Sequence, residues 1–110
     1  MAFVPDQGDI VWLDFNPSSG KEIMKRRPAF VISRKAFNQH TGLAIVAPIT
    51  STIRNISLEV VLSNGHKTEG AILVHQLKSL DYKQRQVELI EKSSPETTSQ
   101  VTTMAKVIIQ

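Results

Sequence analysis

Residues 21–33 read KEIMKRRPAFVIS, and in this stretch a cluster of charged side chains leads directly into an apolar strand. Four cations stand against one acid: Lys21, Lys25, Arg26 and Arg27 against Glu22. The proline that follows biases Arg27 towards an extended backbone, which fixes where its guanidinium leaves the chain. Because a guanidinium is planar and donates two parallel hydrogen bonds, it suits a phosphodiester better than an ammonium does. The stretch therefore predicts a strand with a basic, phosphate-binding mouth; the alternative is a solvated surface loop.

Length and composition indicate one soluble globular domain spanning residues 1–110, with 41% hydrophobic and 21% charged residues. We find no apolar run of membrane-spanning length and no leader pattern, so we expect a cytoplasmic protein with no membrane partner. The chain has no cysteine, and its histidines (His40, His66 and His75) lack metal-ligand spacing. We therefore expect no metal and no cofactor. A net charge of +3 favours an anionic partner without identifying it.

The first half of the chain predicts three strands, at residues 8–15, 27–33 and 43–47, from apolar, β-branched and aromatic runs bounded by turn residues. The first two are joined by a loop of about ten residues, longer than a hairpin needs, and long ordered loops are usually functional. Residues 34–40 have room for only one or two helical turns. The third run is continuously apolar and is therefore expected to be buried on both faces.

The second half predicts strands at residues 56–62, 70–77 and 87–91, with a tight turn at residues 64–65. Ser94, Pro95 and Glu96 form a helix start signal. An apolar stripe follows at helical spacing, formed by Val101, Met104, Ala105 and Ile108. The sequence thus predicts a mainly β fold of five or six short strands, a small curved barrel covered by one C-terminal helix.

If Arg27 lies at the start of one strand and Thr50 and Ser51 lie at the end of another, the cation and the two hydroxyls could converge on one concave face. Such a set of side chains recognises phosphate. Cleaving RNA without a metal requires a base for the 2′-hydroxyl, donors for the charge that develops on phosphorus, and an acid for the leaving 5′ oxygen. Arg27, Thr50 and Ser51 are candidates for the donors. Glu22 or His75 is a candidate for proton transfer.

Each candidate also has an ordinary structural interpretation. Residues 50–52 also suit a plain turn at a strand end, because hydroxyls cap turns. Glu22 also suits a surface acid, and His75 a hydrogen-bonded strand histidine. Trp12 suits either the core or a base-stacking platform. Phe37 is expected in the core.

Seven short segments, in order along nearly the whole chain, carry a resemblance to a known family. They are Gly8-Asp9-Ile10-Val11-Trp12, Asp14-Phe15-Asn16-Pro17, Gly20-Lys21-Glu22, Arg27-Pro28-Ala29, Phe37-Asn38, Ala47-Pro48-Ile49-Thr50 and Gln76-Leu77-Lys78-Ser79. Together they resemble the MazF/PemK (Kid) toxins of type II toxin–antitoxin systems. The resemblance implies an SH3-like barrel of the CcdB/PemK plasmid-maintenance type and a homodimer. It also implies a ribosome-independent, metal-independent endoribonuclease that cuts single-stranded mRNA at short sequences, leaves 2′,3′-cyclic phosphate and 5′-hydroxyl ends, and arrests translation.

Carried over by position, the family's essential arginine falls on Arg27 and its essential threonine on Thr50. Glu22 matches an acid of the first loop, and Gln76 a glutamine that lines the site. The chain departs from the pattern at His75, where some relatives have an aspartate, and at Leu73, where the PemK branch has an arginine. The resemblance therefore leaves open which residue acts as base and which as acid.

The resemblance also implies a partner, a MazE-like antitoxin whose acidic tail competes with RNA for Lys25, Arg26 and Arg27. Operator DNA would be bound only through the antitoxin complex. Two alternatives remain: a CcdB-like gyrase poison, disfavoured because the chain lacks a C-terminal tryptophan, and a non-catalytic RNA- or peptide-binding barrel. The sequence gives no cleavage site, since base selectivity depends on loop side chains.

Overall fold

The computed structural model describes residues 3–15, 26–53, 56–63 and 65–110. Within these ranges the chain forms seven strands, two α-helices and one 3-10 turn. The strands are β1 (Asp9–Asp14), β2 (Arg26–Val31), β3 (Leu43–Thr50), β4 (Glu59–Val61), β5 (Ala71–Leu73), β6 (Lys78–Asp81) and β7 (Glu88–Lys92). The helices are α1 (Lys35–Thr41) and α2 (Pro95–Ile109), and the 3-10 turn is Val74–Gln76.

The strands form one antiparallel sheet in the order β4-β5-β3-β2-β1-β7, with β6 pairing separately to β3. The long strand β3 makes this possible because two short strands share one of its edges. Its end pairs with β5, where Ile49 is opposite Ile72, and its start pairs with β6, where Val46 is opposite Lys78. The 3-10 turn joins these two partners. The candidate site lies at the end of β3, beside β2 and β5.

Alternation along the strands divides the core into two clusters, one on each side of β1 and β2. Ile10 and Phe30 pack with Val101 and Ala105 of α2. Their neighbours, such as Val11, pack in a second cluster with Leu13, Ala29, Val31 and Tyr82. Because strand side chains alternate between faces, Ile10 of the continuous apolar run lies in the first cluster, and Val11 and Leu13 lie in the second. Helix α2 starts as predicted: the Ser94 hydroxyl accepts a hydrogen bond from the Thr97 N–H at 3.2 Å.

A buried polar residue fixes the short helix α1 against the rest of the chain. Asn38 is fully buried, and its side-chain amide donates to the Pro5 carbonyl at 2.8 Å and the Ser33 carbonyl at 3.2 Å. The Tyr82 hydroxyl donates to the Asn38 carbonyl at 3.1 Å. Since Asn38 occupies the buried position of α1, Phe37 faces outwards and is 42% exposed. The expectation of a core role for Phe37 is therefore wrong.

Several predicted boundaries also need correction. The predicted strand 70–77 ends at Leu73, because the Leu77 N–H turns back to the Val74 carbonyl at 3.1 Å and closes a 3-10 turn. His75 is therefore a turn residue and not a strand histidine. Strand β6 was not predicted, since its exposed polar residues give no apolar alternation. Strand β3 is longer than predicted and runs to Thr50, and β4 is shorter and begins at Glu59.

Candidate active site

A cavity of about 440 Å³ opens where β2 begins, β3 ends and the segment before β5 passes beside them. The described residues that line it are Arg27, Pro28, Ile49, Thr50, Ser51, Thr52 and Glu69. Ala29 pairs with Pro48 across β2 and β3, so continuing this register by two residues brings Arg27 opposite Thr50. Residues directly opposite in an antiparallel pair share one face of the sheet. The cation and the two hydroxyls that the sequence suggested thus line one concave surface.

Thr50 was predicted either to bind phosphate or to form a plain turn at a strand end, and its geometry is compatible with both. Its hydroxyl oxygen accepts a hydrogen bond from the Thr52 N–H at 3.2 Å, which makes a turn at the end of β3. A hydroxyl that accepts in this way still has its own hydrogen to donate. The turn therefore fixes the hydroxyl at the cavity while leaving one donor for a ligand. Ser51, the next residue, is exposed beside it.

Arg26 does not join Arg27 among the described residues that line the cavity. Its guanidinium pairs with Asp14 and Glu88, each at 3.1 Å, and donates to the Gln86 carbonyl at 2.8 Å. Consecutive strand residues point to opposite faces, so the two neighbouring arginines separate. These contacts hold the start of β2 against β1 and β7, and the substrate contact expected of Arg26 stays a prediction.

The other predicted site residues that the structure describes do not line the cavity. Trp12 is 37% exposed, so it is not a core residue; it pairs with Pro28 and flanks the cavity wall without lining it. His75 and Gln76 are exposed on the 3-10 turn and are likewise absent from the described lining. Glu22 and Lys25 lie outside the described residues.

Glu69 lines the cavity, although the sequence analysis did not single it out. The residue after it, Gly70, has φ +122°, and a Cβ built there would lie 2.1 Å from the Thr50 carbonyl oxygen. Only glycine allows this approach. In the sequence, Glu69 is marked only by its place before a glycine at the start of a strand. This position points to the cavity only once β5 is known to pair with the end of β3.

The residues just before Glu69 are anchored by a carboxylate of β7. Glu91 accepts hydrogen bonds from the Lys67 N–H at 3.0 Å and from the Thr68 N–H and hydroxyl at 2.8 and 2.9 Å. Burial alone would raise the pKa of Glu91, but these hydrogen bonds outweigh it and hold the pKa below its ordinary value of 4.5. The anchor therefore depends on an ionised Glu91.

This anchor predicts a loss of stability in acid. Because the pKa of Glu91 is lowered on folding, its contribution is present above about pH 4.5 and is lost as the pH falls through the folded value. We expect Glu91→Gln to cost about 1–2 kcal/mol of unfolding free energy at pH 7. We also expect the difference from wild type to shrink below pH 4.5, as measured by urea unfolding at several pH values. A difference that stays constant down to pH 3 would contradict this account.

A larger and more apolar groove of about 780 Å³ lies between α2 and β4, and the predicted catalytic residues are absent from its described lining. Among the described residues, no group of three or more His, Asp or Glu side chains is placed to hold a metal ion. Neither of the two described helices is long and apolar enough to cross a membrane.

Comparison with known proteins identifies the class. A family model described as "PemK-like, MazF-like toxin of type II toxin-antitoxin system" matches residues 6–109. The chain is 40% identical over 83 residues to the endoribonuclease toxin MazF of Escherichia coli K12, covering 76% of this chain and 74% of the relative. It is 31% identical over 111 residues to the endoribonuclease toxin ChpB of the same strain, covering 96% and 94%. These relatives, like the family model, match most of the chain.

The fold agrees with solved structures. The MazE-MazF crystal structure (Form-II) from Deinococcus radiodurans matches with a TM-score of 0.91 and 33% identity, covering 98% of this chain and 97% of that one. The predicted mainly β fold with a C-terminal helix is thus confirmed. The chain belongs to the MazF/PemK family of type II toxin–antitoxin toxins, and it is an endoribonuclease toxin.

Proposed function

We propose that the protein cuts single-stranded mRNA at a short specific sequence, without the ribosome and without a metal ion, and so inhibits translation and growth. The observation that carries the proposal is the cavity in which Arg27 and Thr50 meet at adjoining strand ends. A guanidinium and a fixed hydroxyl donor on one concave surface suit the oxygens of a phosphodiester.

In the proposed reaction the nucleophile belongs to the RNA. The 2′ oxygen attacks the adjacent phosphorus, the bond to the 5′ oxygen breaks, and the products carry a 2′,3′-cyclic phosphate and a 5′-hydroxyl. Arg27 neutralises the charge that develops on the phosphoryl oxygens, and Thr50 and Ser51 donate to them. Glu22 and His75 stay as predictions for proton transfer.

Substrate contacts outside the cavity would extend along the RNA on both sides of the cut. We propose Lys25 as a phosphate contact and Gln76 as a hydrogen-bonding contact. Trp12 is 37% exposed and pairs with the cavity residue Pro28, which supports its proposed role as a stacking platform for a flanking base.

The test is incubation of the purified protein with a long single-stranded RNA in EDTA, followed by mapping of the new ends. We expect discrete cuts at one short sequence, with 5′-hydroxyl ends. Intact RNA, or cuts that require added Mg²⁺, would overturn the proposal. Supercoiling by gyrase in the presence of the protein is the parallel assay for the CcdB-like alternative.

We also propose a cognate MazE-like antitoxin as the regulatory partner, with operator DNA bound only through the complex. Support comes from relatives: the matched Deinococcus radiodurans crystal structure is a MazE-MazF complex, and a mycobacterial endoribonuclease was solved with its cognate antitoxin. An acidic tail laid across the cavity would compete with RNA for Arg27. Competitive inhibition of cleavage by such a tail peptide is the expected result, and non-competitive inhibition would place its binding site elsewhere.

We further propose that the protein acts as a homodimer in the cytoplasm, where mRNA is found. The edge strand β4, the residue before it and the end of α2 present exposed apolar side chains that line the 780 Å³ groove, namely Leu58, Val61 and Val107. An apolar patch next to an unpaired strand edge suits a self-complementary interface.

The dimer proposal predicts that Val107→Asp shifts the protein to monomer, because a carboxylate would be buried without a partner. Sedimentation velocity measures the change. Leu89→Asp is the matched control, since Leu89 is an exposed apolar residue on β7, away from the groove. Dissociation by Leu89→Asp but not by Val107→Asp would assign the interface to the other edge of the sheet.

A further inference from the structure

We propose that the carboxylate of Glu69 is the general base that takes the proton from the attacking 2′-hydroxyl. The proposal rests on the ribonuclease function above and names a catalytic residue for it. Of the described residues that line the cavity, Glu69 alone carries a carboxylate, a group that can accept a proton. The others are one guanidinium, hydroxyls and apolar groups.

Glu69 is held at the cavity from both sides in the sequence. Before it, Thr68 is tied by its N–H and hydroxyl to Glu91 of β7, at 2.8 and 2.9 Å. After it, Gly70 packs directly against the Thr50 backbone, and its carbonyl accepts from the Leu62 N–H at 2.9 Å. Glu69 is therefore placed beside the threonine at the end of β3 by backbone contacts. These contacts fix the backbone at Glu69, and its exposed side chain extends from this fixed point to the cavity, where a proton acceptor is needed.

The charge of Glu69 also needs explanation in a site for RNA. A carboxylate opposes the binding of a phosphodiester, so it weakens ground-state binding wherever it stands near the backbone. Within the described part of the chain, no hydrogen bond or ion pair engages its side chain. Arg27 lines the same cavity and carries the opposite charge. An unengaged carboxylate beside a phosphate-binding arginine and a fixed hydroxyl is the combination that removes a proton while the phosphorus is held for attack.

The proposed step moves one proton to Glu69 and exchanges one bond to phosphorus for another. The 2′ oxygen gives its proton to the Glu69 carboxylate and forms a bond to phosphorus. The bond from phosphorus to the 5′ oxygen breaks, and the 5′ oxygen takes a proton from the general acid, the role for which Glu22 and His75 stay as predictions. Glu69 afterwards returns its proton to solvent. His75, which the sequence suggested for this step, is exposed on the 3-10 turn and is not among the described residues of the cavity wall.

The test compares wild type with Glu69→Gln, which keeps the shape and removes the basic group. We expect Glu69→Gln to lower kcat by about 10²–10³-fold, in the range of general base catalysis, with KM unchanged or lower because a repulsive charge is removed. Glu69→Asp, which keeps a carboxylate, should retain more of the wild-type kcat than Glu69→Gln does. Glu96→Gln, at an exposed glutamate in the first turn of α2, is the matched control and should cleave like wild type.

A modified substrate separates a base from an acid. With a sulfur in place of the 5′ bridging oxygen, the leaving group needs no proton, so a defect in a general acid is repaired and a defect in a general base is not. A persistent loss in Glu69→Gln on this substrate supports the proposal; recovery, or a wild-type rate on ordinary RNA, overturns it. Either outcome leaves cleavage by the wild type in place, whereas a wild type that does not cut RNA refutes the proposed function itself.

Discussion

Replacing Arg27 by alanine is expected to lower kcat for RNA cleavage by about 10²–10³-fold, the usual cost of removing one charge-stabilising donor from an active site. Arg27 is half-buried at the mouth of β2 and lies opposite Thr50 when the register of β2 and β3 is continued. Its guanidinium is thus placed to bind the phosphoryl oxygens as they gain charge. Single-turnover cleavage of an RNA that contains the mapped sequence measures the effect.

Two further variants make the Arg27 result specific. Arg27→Lys keeps the charge but loses the bidentate geometry, so we expect a rate between those of wild type and Arg27→Ala. Arg34→Ala removes an exposed cation just before α1, outside the described lining of the cavity, and should cleave like wild type. Equal losses in Arg27→Ala and Arg34→Ala would show that only overall positive charge matters.

Gly70→Ala is expected to have the largest effect on stability. At φ +122° a non-glycine residue costs about 1–3 kcal/mol in backbone strain, and a Cβ 2.1 Å from the Thr50 carbonyl oxygen adds about 1–3 kcal/mol of overlap. We therefore expect a loss of about 3 kcal/mol or more of unfolding free energy in urea. Cleavage should fall as well, because the end of β3 must move.

A second glycine separates the cost of backbone strain from the cost of the overlap with the Thr50 carbonyl oxygen. Gly65 also has a positive φ, +104°, but a Cβ there would meet no heavy atom of the described residues within 4 Å. Gly65→Ala should therefore show the strain alone and leave cleavage by Thr50 and Arg27 unaffected. If Gly70→Ala is no less stable than Gly65→Ala, the close packing of β5 on Thr50 does not hold the site together.

Much of the fold was predictable because its signals are local. Apolar, β-branched and aromatic runs bounded by turn residues predicted β1 and β2, and the Ser94 cap with Pro95 predicted the start of α2. Strand β6 has no such signal. Its polar residues are in a strand because they pair with the start of β3, a contact that is distant in sequence.

Some residues of the candidate site were likewise predictable from local sequence, and others depend on contacts distant in sequence. Arg27, Thr50 and Ser51 were predictable because each stands at a recognisable strand end. Glu69 was not, since it reaches the cavity through the contact between Gly70 and Thr50, which depends on the pairing of β5 with β3. The ion pairs of Arg26 were not predictable from the sequence, because its acceptors, Asp14 and Glu88, are 12 and 62 residues away.

The central claim is that the cavity of Arg27 and Thr50 promotes attack by the RNA's own 2′-hydroxyl. The most direct test uses two oligonucleotides in EDTA, identical except for a single 2′-deoxy sugar on the 5′ side of the mapped cut, with product masses measured. The account predicts that the all-ribose substrate gives a 2′,3′-cyclic phosphate and a 5′-hydroxyl, and that the 2′-deoxy substrate binds but stays intact. Cleavage of the 2′-deoxy substrate at the same position would contradict it.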